Sequence, residues 1–346
     1  MNALVKTAAG KGHVSLLEVA KPVPGADEIL IKVKYCGICG TDLHIFADEF
    51  PNNPPVIMGH EYCGTIVQVG EGVEKWLVGD RVVGELHTGA CGICELCRAG
   101  KPHICDGKLA LGSKHNGAFA EYLAIPAWLV HKVPDGLSWE VAGVTEPFAI
   151  STHCLVERGQ LDGKGRILIT GAATMGLMAT IWASRLGYET IIVSGTSLDE
   201  PLRFPLAVEM GATRVVNVQH ENLAKVVNEL TAGLGVDAAV ECSGSPFAIR
   251  DLPNLVKKTG KIVLIGLVGP PEIPVAWNTF LYKELDIAGC FSSPPSSWQK
   301  ALAIEKDEAH KLRQLVTDII PINAWESGFN KMQTGEAVKI LVDMEG

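Results

Sequence analysis

The sequence predicts an α/β protein in which a doubly wound parallel sheet follows a mostly β, barrel-like region. Three observations carry that expectation. From residue 166 onward, short apolar strands at 166–170, 189–193, 236–241 and 261–265 alternate with helix-like stretches, the spacing of a parallel sheet with crossover helices. The first third breaks instead into short strands punctuated by Gly and Pro, as antiparallel pairing requires. Apolar residues make up 47% of the 346 positions, enough for a sizeable core in one large domain or two.

Composition also excludes partners. A formal net charge of −9 argues against a nucleic-acid backbone. Residues 1–15 have no apolar run after the early lysine, so no secretory leader is expected. The stretch 167–184 is apolar enough to suggest a membrane span. Gly171, Gly176 and several Ala and Thr make it a strand, a glycine turn and a buried helix instead, and no membrane partner is expected. Ten cysteines without an export signal point to reduced thiols or metal, and to the cytoplasm, rather than to disulfides.

Taken in order, 14–19, 28–35, 65–69 and 80–83 read as strands. The segment 28–35 alternates like a half-buried one. Lys32, Lys34, Glu71 and Glu74 read as a solvated face. Stretches 36–44 and 59–64 then offer Cys39, His60 and Glu61 among glycines that permit tight turns. A thiolate, an imidazole and a carboxylate are zinc donors, and a catalytic site uses three protein ligands with one position open. The plain alternative is three solvated loop residues.

Next, Cys91, Cys94, Cys97 and Cys105 stand in one short loop. Four thiolates fill a tetrahedral shell, so an ion held there is structural. Free thiols are the alternative. A nucleic-acid zinc ribbon lacks its second separated knuckle and a basic surface. His103, inside the loop, is expected at the surface. Strand character returns over 117–133, and an apolar helix then starts near Glu146. A carboxylate in such surroundings is costly unless partnered; capping the helix is its simplest role.

The turn after the first parallel strand, 171–176, contains Gly171, Ala173, Met175 and Gly176. Its place between strand and helix suits a dinucleotide pyrophosphate at the helix N-terminus, although the Ala173 methyl crowds the middle position of that turn. The tail from residue 290 mixes a Pro- and Ser-rich turn, a helix near 299–306 and a last strand at 337–343. It is expected to pack back on the earlier parts. Cys36, Cys63, Cys154, Cys242 and Cys290 are expected as buried thiols.

With these motifs in one order, the whole chain resembles the zinc-dependent medium-chain dehydrogenases, near their polyol (sorbitol) and threonine branches. The matching stretches are 39–44, 59–61, the four-cysteine loop, Glu146 with Pro147, and 171–176. The resemblance implies a GroES-like catalytic domain over 1–148 and 291–346, and a Rossmann domain over 149–290. It implies a homo-oligomer, tetramer or dimer, and two zinc ions per chain. Alcohol dehydrogenases hold catalytic zinc with two Cys and one His. Here no cysteine stands at the Glu146 position, as in the polyol branch.

Carried over, Cys39, His60 and Glu61 are ligands, and Glu146 binds directly or through water. Asp42 accepts from the His60 ring. Thr41 takes the substrate proton and passes it through the cofactor ribose toward His44. The implied reaction is oxidation of a secondary alcohol of a polyol, sugar or related small molecule, with hydride transfer to NAD or NADP.

Cofactor choice turns on the end of the second parallel strand, where an acid normally bonds the ribose of NAD. Ser194, Gly195 and Thr196 stand there with Arg203 beyond, a set that favours NADP. NAD stays open if Asp199 bends back. Three further readings remain: a threonine-type 3-hydroxy amino acid dehydrogenase, a zinc-free reductase, against which the intact donor set counts, and a non-catalytic nucleotide-binding module.

Overall fold

The strand Glu28–Gly37 organises the first body of the structure, a computed structural model that describes residues 1–269 and 272–345. The expected alternation is not what it shows. Ile29, Leu30, Ile31, Val33, Tyr35 and Cys36 are all buried, and only Lys32 is exposed. The cause is position, since this strand runs through the interior of a seven-stranded sheet and is covered on both faces. Its neighbours are Glu61–Val69, Tyr122–Pro126 and the last strand of the chain, Lys339–Asp343, all antiparallel to it. Two registers matter for the site: Gly37 faces Glu61, and Leu341 faces Gly37.

Ile29, Ile31, Val33, Ile66, Phe119 and Ile340 form one apolar cluster. Each buried aliphatic side chain of this kind contributes about 1.5–3 kcal/mol of transfer free energy. A smaller sheet joins Asn2–Lys6 to Val14–Glu18 and Val56–Ile57. The tail adds the helix Pro295–Glu305, the strand Val316–Pro321 and the helix Trp325–Thr334. By contact density, Met1–Ala149 and Ser293–Gly346 form one unit and Ile150–Ser292 the other.

The second unit is a six-stranded parallel sheet in the order Arg214–Asn217, Thr190–Gly195, Arg166–Thr170, Val236–Glu241, Val256–Leu264, Asp286–Gly289. The chain starts in the middle, winds to one edge, then returns to build the other. This is a Rossmann order, whose switch point lies beside the first strand. The apolar stretch 167–184 is divided as its glycines predict, into the strand Arg166–Thr170 and the helix Thr174–Leu186. No helix among the described residues is long and apolar enough to cross a membrane. All ten cysteines are free; Cys36, Cys63 and Cys154 are buried, whereas Cys242 and Cys290 are only half-buried.

One core acid has no counter-charge. Glu305 is fully buried, and neither carboxyl oxygen has a hydrogen-bond partner among the described residues. Burial pushes its carboxyl up to about 8, with the Thr145 hydroxyl beside it acting against that. The unfolded carboxyl ionises near 4.5. Between those two values the unfolded chain binds fewer protons than the folded one, so stability falls as pH rises and levels off above 8. Glu305→Gln removes this loss. Its melting temperature relative to wild type should therefore rise between pH 5 and pH 8.5, by about 3 °C or more. A difference that stays flat with pH would contradict it.

Candidate active site and metal centres

Cys39 caps the helix Gly40–Ala47 from extended backbone. Asp42 closes that turn by accepting the Cys39 N–H at 2.9 Å through Oδ2. Its other oxygen stands 3.8 Å from His60 Nδ1, an electrostatic contact longer than the hydrogen bond the family implies. The Thr41 hydroxyl lies 3.7 Å from the Cys39 sulfur. His44, three residues further on, is exposed and pairs through Nδ1 with Glu49 Oε2 at 3.0 Å.

His60 and Glu61 arrive from the next stretch, turned inward at Gly59. Its φ of +86° is a glycine conformation, and a Cβ there would meet the Phe119 ring at 2.7 Å and Cys36 Sγ at 2.8 Å. Gly37 opposite is equally constrained, since a Cβ would lie 2.4 Å from Glu61 Oε2. Cys39, His60 and Glu61 thereby offer one ligand atom each, all within 4.8 Å of one another. Zinc ligands in a tetrahedral shell stand roughly 3.3–3.8 Å apart, so modest side-chain rotation closes this trio on an ion.

The electrostatics fit a cation. The surroundings push the Cys39 thiol well above its ordinary range, by burial first and the Glu61 charge second. Burial likewise raises the Asp42 carboxyl, and Asp42 Oδ1 has no hydrogen-bond partner among the described residues. Glu146, buried in the helix Thr145–Thr152, is pushed up to about 7 by burial and by Glu61. It is near enough to feel His60 and Glu61, yet it is not part of the close trio. A divalent ion would reverse all of these shifts by stabilising the anions.

Two residues here went unread in the sequence. Lys339, buried in the final strand, donates to Glu61 Oε2 at 2.7 Å, to Oε1 at 3.0 Å and to the Ile38 carbonyl at 2.9 Å. Burial alone would lower its pKa, but Glu61 and Cys39 outweigh that and hold it above the ordinary lysine value. A lysine flanked by Val338, Ile340, Leu341 and Val342 was the available signal, because a charge inside a buried strand needs a partner. Lys108 is pushed down to about 8 by burial, with Glu146 acting against that.

The four cysteines of the loop also converge, their sulfurs within 4.8 Å of one another. Sγ of Cys105 lies 3.8 Å from that of Cys94 and 3.7 Å from that of Cys91. Amide N–H groups point at the sulfurs, Cys94 N to Cys91 at 3.3 Å and Cys97 N to Cys94 at 3.4 Å. The Ile93 and Cys94 amides pull the Cys91 thiol down to about 6, while burial pushes the Cys97 thiol of the same cluster up to about 12. His103 is not at the surface as expected. The single turn Pro102–Ile104 buries it, and its carbonyl accepts from Lys108 Nζ at 3.1 Å.

In the parallel-sheet unit, Gly171 has φ +91° and Gly176 packs so closely that a Cβ would lie 1.8 Å from the Gly171 carbonyl. Ala173 is the N-cap of the helix Thr174–Leu186 and makes no side-chain cap. A helix N-terminus without a side-chain cap is a place where an anion can sit. Ala173 is exposed and Met175 is half-buried. After Thr190–Gly195, Asp199 folds back over Gly195 and accepts from the Thr196 N–H at 2.8 Å. Its other oxygen takes Arg203 Nη1 at 3.0 Å, and both side chains are buried. Arg203 is therefore already neutralised, and it lends no support to a preference for a 2′-phosphate. Ser194 is buried, while Thr196 is half-buried.

Comparison with known proteins agrees with this architecture. Residues 25–135 match the family model described as alcohol dehydrogenase GroES-like domain, and residues 174–306 that described as zinc-binding dehydrogenase. The chain is 35% identical over 342 residues to a sorbitol dehydrogenase of Halalkalibacterium halodurans, covering 99% of each. It is 38% identical over 350 residues to an L-threonine 3-dehydrogenase of Alteromonas mediterranea, covering 100% of each. A putative zinc-binding dehydrogenase of Sinorhizobium meliloti 1021, solved bound to NADP, superposes with a TM-score of 0.90 at 29% identity, over 99% of this chain and 98% of that one.

Proposed function

This chain belongs to the zinc-dependent medium-chain dehydrogenases, oxidoreductases of the zinc alcohol dehydrogenase type, and from that premise we propose that it oxidises a secondary alcohol of a polyol or related hydroxylated small molecule. The observation that carries this is the convergence of Cys39, His60 and Glu61 within 4.8 Å in a buried, acid-rich setting. These three would hold a catalytic zinc ion, with Glu146 joining directly or through water, and Cys91, Cys94, Cys97 and Cys105 would hold a structural one. When bound, the zinc supplies the Lewis acidity that brings a hydroxyl pKa toward neutrality, and the nicotinamide accepts the hydride.

Thr41 takes the substrate proton and His44 receives it, three residues along and on the same helix face. Glu49 orients the His44 ring, whose exposure lets the proton leave to water. The N-terminus of the helix Thr174–Leu186 would hold the pyrophosphate, with Gly171 and Gly176 allowing its approach. Asp199 and Arg203 cancel one another beside Ser194, Gly195 and Thr196. With that pair cancelled and Glu200 turned to Asn217, the proposed outcome is use of both NAD and NADP, with kcat/KM values within about tenfold, or 1.4 kcal/mol.

The exposed edge strand Asp286–Gly289, with Ile287 and the nearby Trp277, Leu281 and Tyr282 open to solvent, supports a homo-oligomer, and ten cysteines outside any disulfide support a cytoplasmic setting. The similarity to an L-threonine 3-dehydrogenase gives a second reading, a 3-hydroxy amino acid substrate. Steady-state rates on sorbitol, xylitol, ribitol, 2,3-butanediol and L-threonine with each cofactor decide between them. At least one polyol or diol should exceed L-threonine by about tenfold in kcat/KM, or 1.4 kcal/mol. The inverse ratio would transfer the assignment to the amino acid, and cofactor binding without turnover on any of them would remove both.

A further inference from the structure

A lysine with 2% of its side chain exposed, against a glutamate with 1%, is a buried ion pair. Such a pair is strongly destabilising to break, since it leaves a charge without compensation. The three protons of the Lys339 ammonium have three acceptors, both oxygens of Glu61 and the carbonyl of Ile38. Ile38 precedes Cys39, and Glu61 follows His60. The C-terminal strand, 278 residues beyond Glu61, is thus a clasp on both ligand-bearing turns. Any ion that takes Glu61 must share its carboxylate with Lys339.

The distances point the same way: Lys339 Nζ lies 2.7 Å from one Glu61 oxygen and 3.0 Å from the other, so neither oxygen is clear of the ammonium. We propose that Lys339 is a positioning residue that holds the Glu61 carboxylate back from full ligation and so keeps a coordination slot open for the substrate. This rests on the metal centre proposed above. Without the ammonium, Glu61 swings onto the ion, binding tightens and the slot fills. A lysine that merely braced the fold would have the opposite effect, since its loss would loosen the site and weaken the metal.

The test is cobalt affinity by chelator competition, together with visible absorption, in wild type, Lys339→Met and Cys39→Ser, the last serving as the blank for the four-cysteine loop. Lys339→Met should bind cobalt about tenfold or more tightly at the Cys39 site, the lower end of what partners of ligands contribute. Its visible bands should weaken as the shell gains a ligand, and kcat should fall. Affinity that is unchanged or lower overturns the role of Lys339 while the metal centre stands. Equal cobalt content in wild type and Cys39→Ser would remove the centre itself. Should Lys339→Met fail to fold, Lys339→Met with Glu61→Gln leaves no unpaired charge. Its cobalt affinity should stay within about tenfold of wild type, as fits a carboxylate that Lys339 already shares with the ion, and a larger fall overturns the proposal.

Discussion

Cys39→Ser is expected to lose about a thousandfold or more in kcat, some 4 kcal/mol of transition-state stabilisation, while remaining folded. The loss follows from removing the one soft anionic donor in a trio of thiol, imidazole and carboxylate. Without it, nothing in the buried acid cluster lowers the substrate hydroxyl pKa. The fold survives because Cys39 is a helix N-cap, and serine serves that position at least as well. Metal content should fall by about one ion per chain, as one tetrahedral centre is lost. Circular dichroism, metal analysis and single-substrate kinetics together check this. Activity within tenfold of wild type would defeat the metal assignment.

Cys94→Ser should show the reverse pattern, in which stability goes first and activity follows. Between Cys91 and Cys105 only Pro102, His103 and Cys105 are buried, so the loop has almost no core of its own. Its geometry is set by sulfurs 3.7–3.8 Å apart and by amides aimed at them. Metal takes the place of apolar burial in such segments, and its binding free energy becomes folding free energy. We expect one zinc fewer per chain, a fall in melting temperature of about 5 °C or more, and rapid proteolytic cleavage within 91–105. A zinc-replete variant as protease-resistant as wild type would show that the four sulfurs carry no ion.

The two centres differ in how openly they are written. Four cysteines in one short loop need only local turns to meet, so their spacing announces the cluster. Cys39 and His60 lie on separate stretches, but the glycines beside them, Gly37 and Gly59, mark where the chain must pass close to other atoms. Four of the six parallel strands and the turn 171–176 were likewise legible, because period and glycine placement are local properties, whereas the short edge strands Arg214–Asn217 and Asp286–Gly289 were not read. The strand Glu28–Gly37 was misjudged as half-buried, since an alternating pattern reports side-chain identity and not what a later strand will cover.

The sequence by itself determined the donor types, the four-sulfur loop, four strands of the parallel sheet, and the place of the nucleotide turn. Only the tertiary structure decided that Lys339 grips Glu61, that Arg203 is matched by Asp199, that His103 is buried, and that Glu305 sits in the core without a counter-charge. The physical reason is reach. Backbone preference and glycine turns act over a few residues, whereas a charge is felt through whatever lies within several ångströms in space, and here that includes a strand 278 residues away.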